Sequence, residues 1–257
     1  PAPTVVYDGD ITITGGQVLK NLIIKGQVTV TGANNVIENC SIIGKTVAPT
    51  VESFLVQTSG STNTIIRHCD FRPQARSRFW NAVGEKNYTV LRCNISRLAV
   101  GFVARSQTTD RECNVQVRGN YGTDMIQFRP DGTDPESHTD WVQLLSNVAN
   151  VDDVLVEGNY FNARHQTAVD SATNTNIVSN QLHRSCVTLN PLSGSTVSGT
   201  FKNNWFDGGV NTFDGSAGNA GSLVVIQGNR FERPSATVGG VTQALRLNAA
   251  VTQVSIP

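Results

Sequence analysis

A short phrase recurs along the chain: a β-branched pair, two or three polar residues, then an aliphatic or aromatic side chain. It reads Val36-Ile37-Glu38-Asn39-Cys40-Ser41-Ile42, then Ile65-Ile66-Arg67-His68-Cys69-Asp70-Phe71, then Val90-Leu91-Arg92-Cys93-Asn94-Ile95. Further on it becomes a Gly-Asn form at Val117-Arg118-Gly119-Asn120-Tyr121, Val156-Glu157-Gly158-Asn159-Tyr160-Phe161 and Ile226-Gln227-Gly228-Asn229-Arg230-Phe231. Ile177-Val178-Ser179-Asn180-Gln181-Leu182 and Phe201-Lys202-Asn203-Asn204-Trp205-Phe206 lie between, so the asparagines at 120, 159, 180, 204 and 229 step by 39, 21, 24 and 25 residues. A unit of this length, built of short strands with Gly or Asn at its corners, cannot pair its backbone alone and must stack on copies of itself. The period therefore predicts an all-β chain, a single-stranded right-handed parallel β-helix of roughly 8 to 9 coils and about 40 Å long at about 4.8 Å per coil.

The alternation in Ile11-Thr12-Ile13-Thr14 and Val28-Thr29-Val30-Thr31 places the first strands in the shaft, and the segment after Gly240 supplies a last coil. A β-sandwich is the structural alternative. It requires hairpin signals between paired strands, and Asp8-Gly9, Asp131-Gly132, Asp207-Gly208 and Asp214-Gly215 do not punctuate the repeat. One core suffices for 257 residues, so residues 1–257 read as a single domain with a long insertion or extra coil at about 129–150.

Twenty basic residues balance twenty acidic ones, which argues against nucleic acid or an anionic membrane as partner. No apolar run approaches the roughly 18 residues that span a bilayer, and Pro-Ala-Pro-Thr at the start has no signal-peptide pattern. Five cysteines spell neither a metal spacing nor a disulfide framework, and Cys40, Cys69 and Cys93 sit in strand-like runs, so they read as free core thiols formed in a reducing cytosol.

The Val-x-Gly-Asn-x-Phe type of coil, repeated over nearly the whole chain, resembles the pectate-lyase-like superfamily of right-handed β-helices, which includes polysaccharide lyases, family-28-type glycosidases and phage tailspikes. The resemblance implies a glycan-binding or glycan-cleaving protein working with its exterior, a polysaccharide hydrolase or lyase if an enzyme, and plausibly a bacteriophage virion surface component. A non-enzymatic phage structural protein, such as a capsid decoration or tail component, is the alternative; an adhesin-like module is a third reading. The expected partners are a polysaccharide or cell-surface glycan, other virion proteins and further copies in a homotrimer. The expected location is a virion or the extracellular space after synthesis in the cytoplasm.

Long insertions on a solenoid mark its working face. The long step from Asn120 to Asn159 contains two similar phrases, Thr123-Asp124-Met125-Ile126-Gln127-Phe128 and Thr139-Asp140-Trp141-Val142-Gln143-Leu144. His138-Thr139-Asp140-Trp141-Val142-Gln143 resembles the H-x-D-G-[IV]-Q phrase of uncharacterised and carbohydrate-active β-helices, with Trp141 in place of glycine, and an indole there reads either as a stacking platform for a sugar or as the mark of a member without catalysis. Aligning Gln127, Gln143, Asp170 and Thr188 by the apolar residue before each stacks His138, His165 and His183 five residues upstream, beside Asp140, Thr167 and Ser185. The imidazoles read either as a hydrogen-bonded ladder or as an acid/base cluster. Asp140 shares parity with Val142 and Leu144, so it faces outward only if a turn intervenes.

Glycosidases need two carboxyls, about 5 Å apart for retention and roughly 6.5–9.5 Å for inversion. Asp124, Asp140 and Asp170 are candidates for that pair, with His138 and His165 as proton-transfer groups, and Gln127, Arg129, Trp141, Gln143 and His183 as substrate contacts. A lyase instead needs a basic residue and often Ca²⁺, for which Arg129 and the acidic loop at Asp131, Asp134 and Glu136 supply parts; no other cofactor is expected. Phe71-Arg72-Pro73-Gln74-Ala75-Arg76-Ser77-Arg78-Phe79-Trp80 is the one basic-aromatic patch, suited to acidic sugars or to another subunit.

Overall fold

The structure, a computed structural model, describes residues 2–106, 112–129, 139–146, 150–163, 166–170, 185–191, 194–209, 211–215, 221–233, 237–238, 241–242, 244–249 and 251–256. The chain winds as a parallel β-helix. Each turn contributes one strand in succession to sheets A, B and C, beginning with Val5–Asp8, Ile11–Thr14 and Val18–Lys20, and each sheet holds nine strands among the described residues. Every neighbouring pair within the three sheets is parallel. The two outer ladders run from the first coil to Arg230–Glu232 in A and to Thr252–Ile256 in C. No helix long and apolar enough to cross a membrane occurs among the described residues.

The corner from C to A sets the period. From the second coil onward it holds two residues between strands: 39–40, 68–69, 92–93, 119–120, 158–159, 203–204 and 228–229. The first of each pair has a left-handed backbone, with φ from 49° at Asn39 to 65° at Gly158, which explains why Asn and Gly dominate there. The second points inward and builds a ladder. The Asn120, Asn159 and Asn204 backbone N–H groups donate to the Oδ1 of Asn159, Asn204 and Asn229 at 2.8, 3.0 and 2.9 Å. Toward the other end the same position is Cys93, Cys69 and Cys40, and the Cys69 N–H donates to the Cys93 Sγ at 3.3 Å. All five thiols are free and buried, and burial pushes that of Cys113 up to about 12.

Asn159 bonds directly to Asn204, 45 residues on, and the expected rung at Asn180 falls in 171–184, outside the described residues. The excess length is placed instead at the A-to-B corner, where two successive coils leave the shaft. Their strands Met125–Arg129 and Gln166–Asp170 pair in parallel as a separate two-stranded sheet, while Asp140–Ser146 occupies a regular sheet-B rung.

The interior is lined by Ile, Val and Phe, with an aromatic file through Trp141, Phe161, Phe206 and Phe231 at 5.7, 6.2 and 5.7 Å between centroids. Trp141 is therefore no exposed platform. Its indole is fully buried, nearly parallel to Phe161, in space left by Gly101 of the preceding coil and Gly122 of its own: a Cβ on Gly122 would stand 2.9 Å from its Cε3, and one on Gly101 2.5 Å from its carbonyl oxygen. The basic-aromatic patch dissolves similarly, because Phe71 and Trp80 are core residues, leaving Arg78 over the Phe79 ring at 4.6 Å.

Candidate functional site

Four sheet-B strands share an irregularity near their start. Leu55 and Val56, Ala82 and Val83, Trp141 and Val142, and Cys186 and Val187 are consecutive residues that both enter the core. The residue before each pair is thereby turned out, which breaks the two-residue alternation. Phe54, Asn81, Val100, Asp140 and Ser185 form that outward row in continuous register. Asp140 thus faces the exterior despite its parity with Val142. A second outward row follows three residues on, through Gly84, Val103, Gln143, Thr188, Asp214 and Arg246.

The two halves of this outer face differ in chemistry. Toward the first coils it is closed by Phe54, Val100 and Val103, with the Arg105 guanidinium 5.5 Å from the Phe54 ring and bonded to both Glu85 oxygens and to Glu52 at 2.8 Å. Burial opposes the charge on Arg105, but these two carboxylates outweigh it and hold the guanidinium more firmly protonated than usual. Toward the later coils the face is polar. Thr139, Asp140 and Ser185 are buried there, and the Thr188 hydroxyl donates to Asp140 Oδ1 at 2.6 Å.

The excursion sheet contributes Gln127, which is 1% exposed and whose Nε2 has no hydrogen-bond partner. An unsatisfied buried amide donor costs about 1–3 kcal/mol, so it marks a position where a ligand acceptor would be stabilising. Main-chain bonds fasten this strand to the preceding coil: Ile126 N–H donates to the Leu98 carbonyl at 3.0 Å, and Arg97 N–H to that of Asp124 at 2.8 Å.

No protein-family model and no curated protein matches the chain. Among solved structures it is similar to trypsin-treated QnrB1, a plasmid-mediated fluoroquinolone resistance protein, at 9% identity over 95% of this chain and 92% of that one, with a TM-score of 0.27. At that score the likeness carries no argument about this protein.

The candidate residues separate as follows. Gln143 and Thr188 share a row, as aligned, and so do Asp140 and Ser185. Gln127 and Asp170 do not join them. Both lie on the excursion sheet, where Asp170 pairs with Arg129 and Gln127 with Ala168, two positions away from the alignment. That also removes the basis for stacking His165 with the other two imidazoles. His138, His165 and His183 themselves lie outside the described residues, as do the side chains of Arg129 and Asp170 and the loop at Asp131, Asp134 and Glu136. Asp124, with φ 57°, turns the chain out of the shaft. Sequence reasoning missed Asp214, although Phe213 before it carries the same signal that aligned Val187-Thr188 with Val142-Gln143.

Proposed function

We propose that the chain is a glycan-binding and glycan-cleaving β-helix of the pectate-lyase-like kind, with its site on the polar half of the outer face of sheet B. The observation that carries this reading is Asp140, a fully buried carboxylate on the outside of the shaft, hydrogen-bonded to Thr188. Asp214 lies one coil beyond Thr188. Asp214 is two coils from Asp140, an axial offset of about 10 Å at about 4.8 Å per coil, which narrows where both side chains reach toward Thr188. That approaches the separation of about 6.5–9.5 Å used to activate a water and protonate a leaving oxygen from opposite sides of a sugar bond. Ser185 and Gln143 would bond the flanking hydroxyls.

The test is incubation with polysaccharides, reading new reducing ends for hydrolysis and ultraviolet absorbance of unsaturated uronates for elimination. Cleavage should fall at least about 100-fold in Asp140→Asn and in Asp214→Asn. Undiminished cleavage in both variants refutes this site. A second reading is supported by the Asn and Cys ladders, which rigidify a shaft whatever its exterior does: a scaffold protein of a virion. Silence on every polysaccharide, together with stable binding to phage particles, favours that one.

A further inference from the structure

Sheet A carries an outward row that the sheet-B site does not use. In continuous register it runs Asp70, Asn94, Tyr121, Tyr160, Trp205 and Arg230, one residue per coil. The residue after each of the first five turns inward (Phe71, Ile95, Gly122, Phe161, Phe206), and from Tyr160 on a second line, Asn162, Asp207 and Glu232, runs beside the row, with Asn162 Nδ2 donating to the Tyr160 hydroxyl at 3.0 Å. Tyr121 and Tyr160 stack at 5.1 Å with planes 17° apart; Trp205 meets Tyr160 edge-on at 4.9 Å; the Arg230 guanidinium lies over Trp205 at 4.5 Å. Tyr160 occupies one face of the Tyr121 ring. The other face looks along the row toward the short side chain of Asn94, and Tyr121 remains 49% exposed. At the foot of this step is a depression of about 460 Å³, lined in part by Asp70 and Asn94.

We propose that the free face of Tyr121 holds a sugar ring, with Asn94 and Asp70 bonding its hydroxyls and with Tyr160 and Trp205 continuing the track along the shaft. This goes beyond the sheet-B reading and stands whether or not that face cleaves anything. Three observations select the ligand. An aromatic face beside a carboxylate and an amide matches the apolar C–H face and vicinal hydroxyls of a pyranose. The coil spacing of about 4.8 Å is close to the advance of one sugar in an extended chain, so a linear polymer can follow the row in step. The depression at its foot sets the Asp70 carboxylate and the Asn94 amide beside Arg92 and His68, so acceptors and donors for sugar hydroxyls stand together there. Burial raises the Asp70 carboxyl above its ordinary value, a stability cost that a binding group would account for.

The experiment is affinity electrophoresis of the whole chain through gels containing polygalacturonate, alginate, dextran or galactomannan, with sedimentation velocity on the same samples. Retardation is expected in at least one gel. Tyr121→Ala and Asn94→Ala should each weaken it by about tenfold, Tyr121→Trp should keep it, and Val18→Ser, exposed on sheet C away from both faces, should leave it unchanged. Asn94 is exposed, so its variant remains informative if Tyr121→Ala folds poorly. Three results overturn the assignment: no retardation in any gel; retardation lost in Asp140→Asn but kept in Tyr121→Ala and Asn94→Ala, which leaves sheet B as the only binding face; or dimers that dissociate in Tyr121→Ala, which gives the row to a second copy of the chain.

Discussion

Replacing Asn159 by Ala should be among the most damaging single truncations in the molecule. The side chain is 2% exposed and takes part in four hydrogen bonds. Its Oδ1 accepts from the Asn120 N–H at 2.8 Å and from Asn120 Nδ2 at 3.0 Å, and its Nδ2 donates to the Val117 carbonyl at 2.8 Å and to Asn204 Oδ1 at 2.9 Å. At roughly 0.5–1.5 kcal/mol net per bond, with partners stranded away from water, the cost is about 3–5 kcal/mol. For a chain of this size that lowers the Tm by roughly 6–10 °C. Asn229→Ala is the control. It loses three bonds at the partly exposed end of the ladder, where water can replace them, and should cost about half as much. Asn159→Cys should recover part of the loss, because a thiol already fills this rung at Cys93. Calorimetry with amide exchange at Asn120 reads the outcome. A loss below about 1 kcal/mol, or one no larger than for Asn229→Ala, would falsify the view that the ladder is a main source of shaft stability.

Gly101→Ala should cost about 1–3 kcal/mol by overpacking against the Trp141 backbone, measured by urea unfolding; a neutral result would mean that the indole pocket is loose. Gly158→Ala meets no atom within 4 Å but sits at φ 65°, so about 1–2 kcal/mol of backbone strain is expected there instead. The five thiols should resist Ellman's reagent at pH 8 in the native protein and all react in denaturant, since each is at most 2% exposed; rapid modification of Cys113 would contradict its burial. Asp70 is pushed above its ordinary 3.8 by burial, so the folded state binds its proton more tightly than the unfolded one. Its ionisation therefore penalises folding increasingly as pH rises through the raised value. Asp70→Asn should raise the Tm at pH 7, with the advantage fading below pH 3.8; a Tm gain independent of pH would refute that cause.

The period, the stacking and the buried thiols were all legible in the sequence, because each coil repeats the same local demands. A left-handed corner residue, an inward Asn or Cys and an apolar strand recur wherever the chain turns from sheet C to sheet A. The same regularity let the rows Gln143–Thr188 and Asp140–Ser185 be aligned from sequence alone. What departed from the period was not readable. Loop closure costs only about 0.6 kcal/mol per doubling of length, so nothing local fixes how far an excursion runs before it rejoins the shaft. That is why Asp170 looked like a neighbour of Gln143. Only the tertiary structure decided that Trp141 lies inside, because the space for it belongs to Gly101 on the preceding coil and Gly122 across its own. It also decided that Asp140 lies outside, through an irregularity set by pairing with Val100 and Ser185, and that Tyr121, Tyr160 and Trp205 touch although 39 and 45 residues separate them. The chain encodes its own corner chemistry, but hydrogen bonding along the axis chooses which side chains become neighbours.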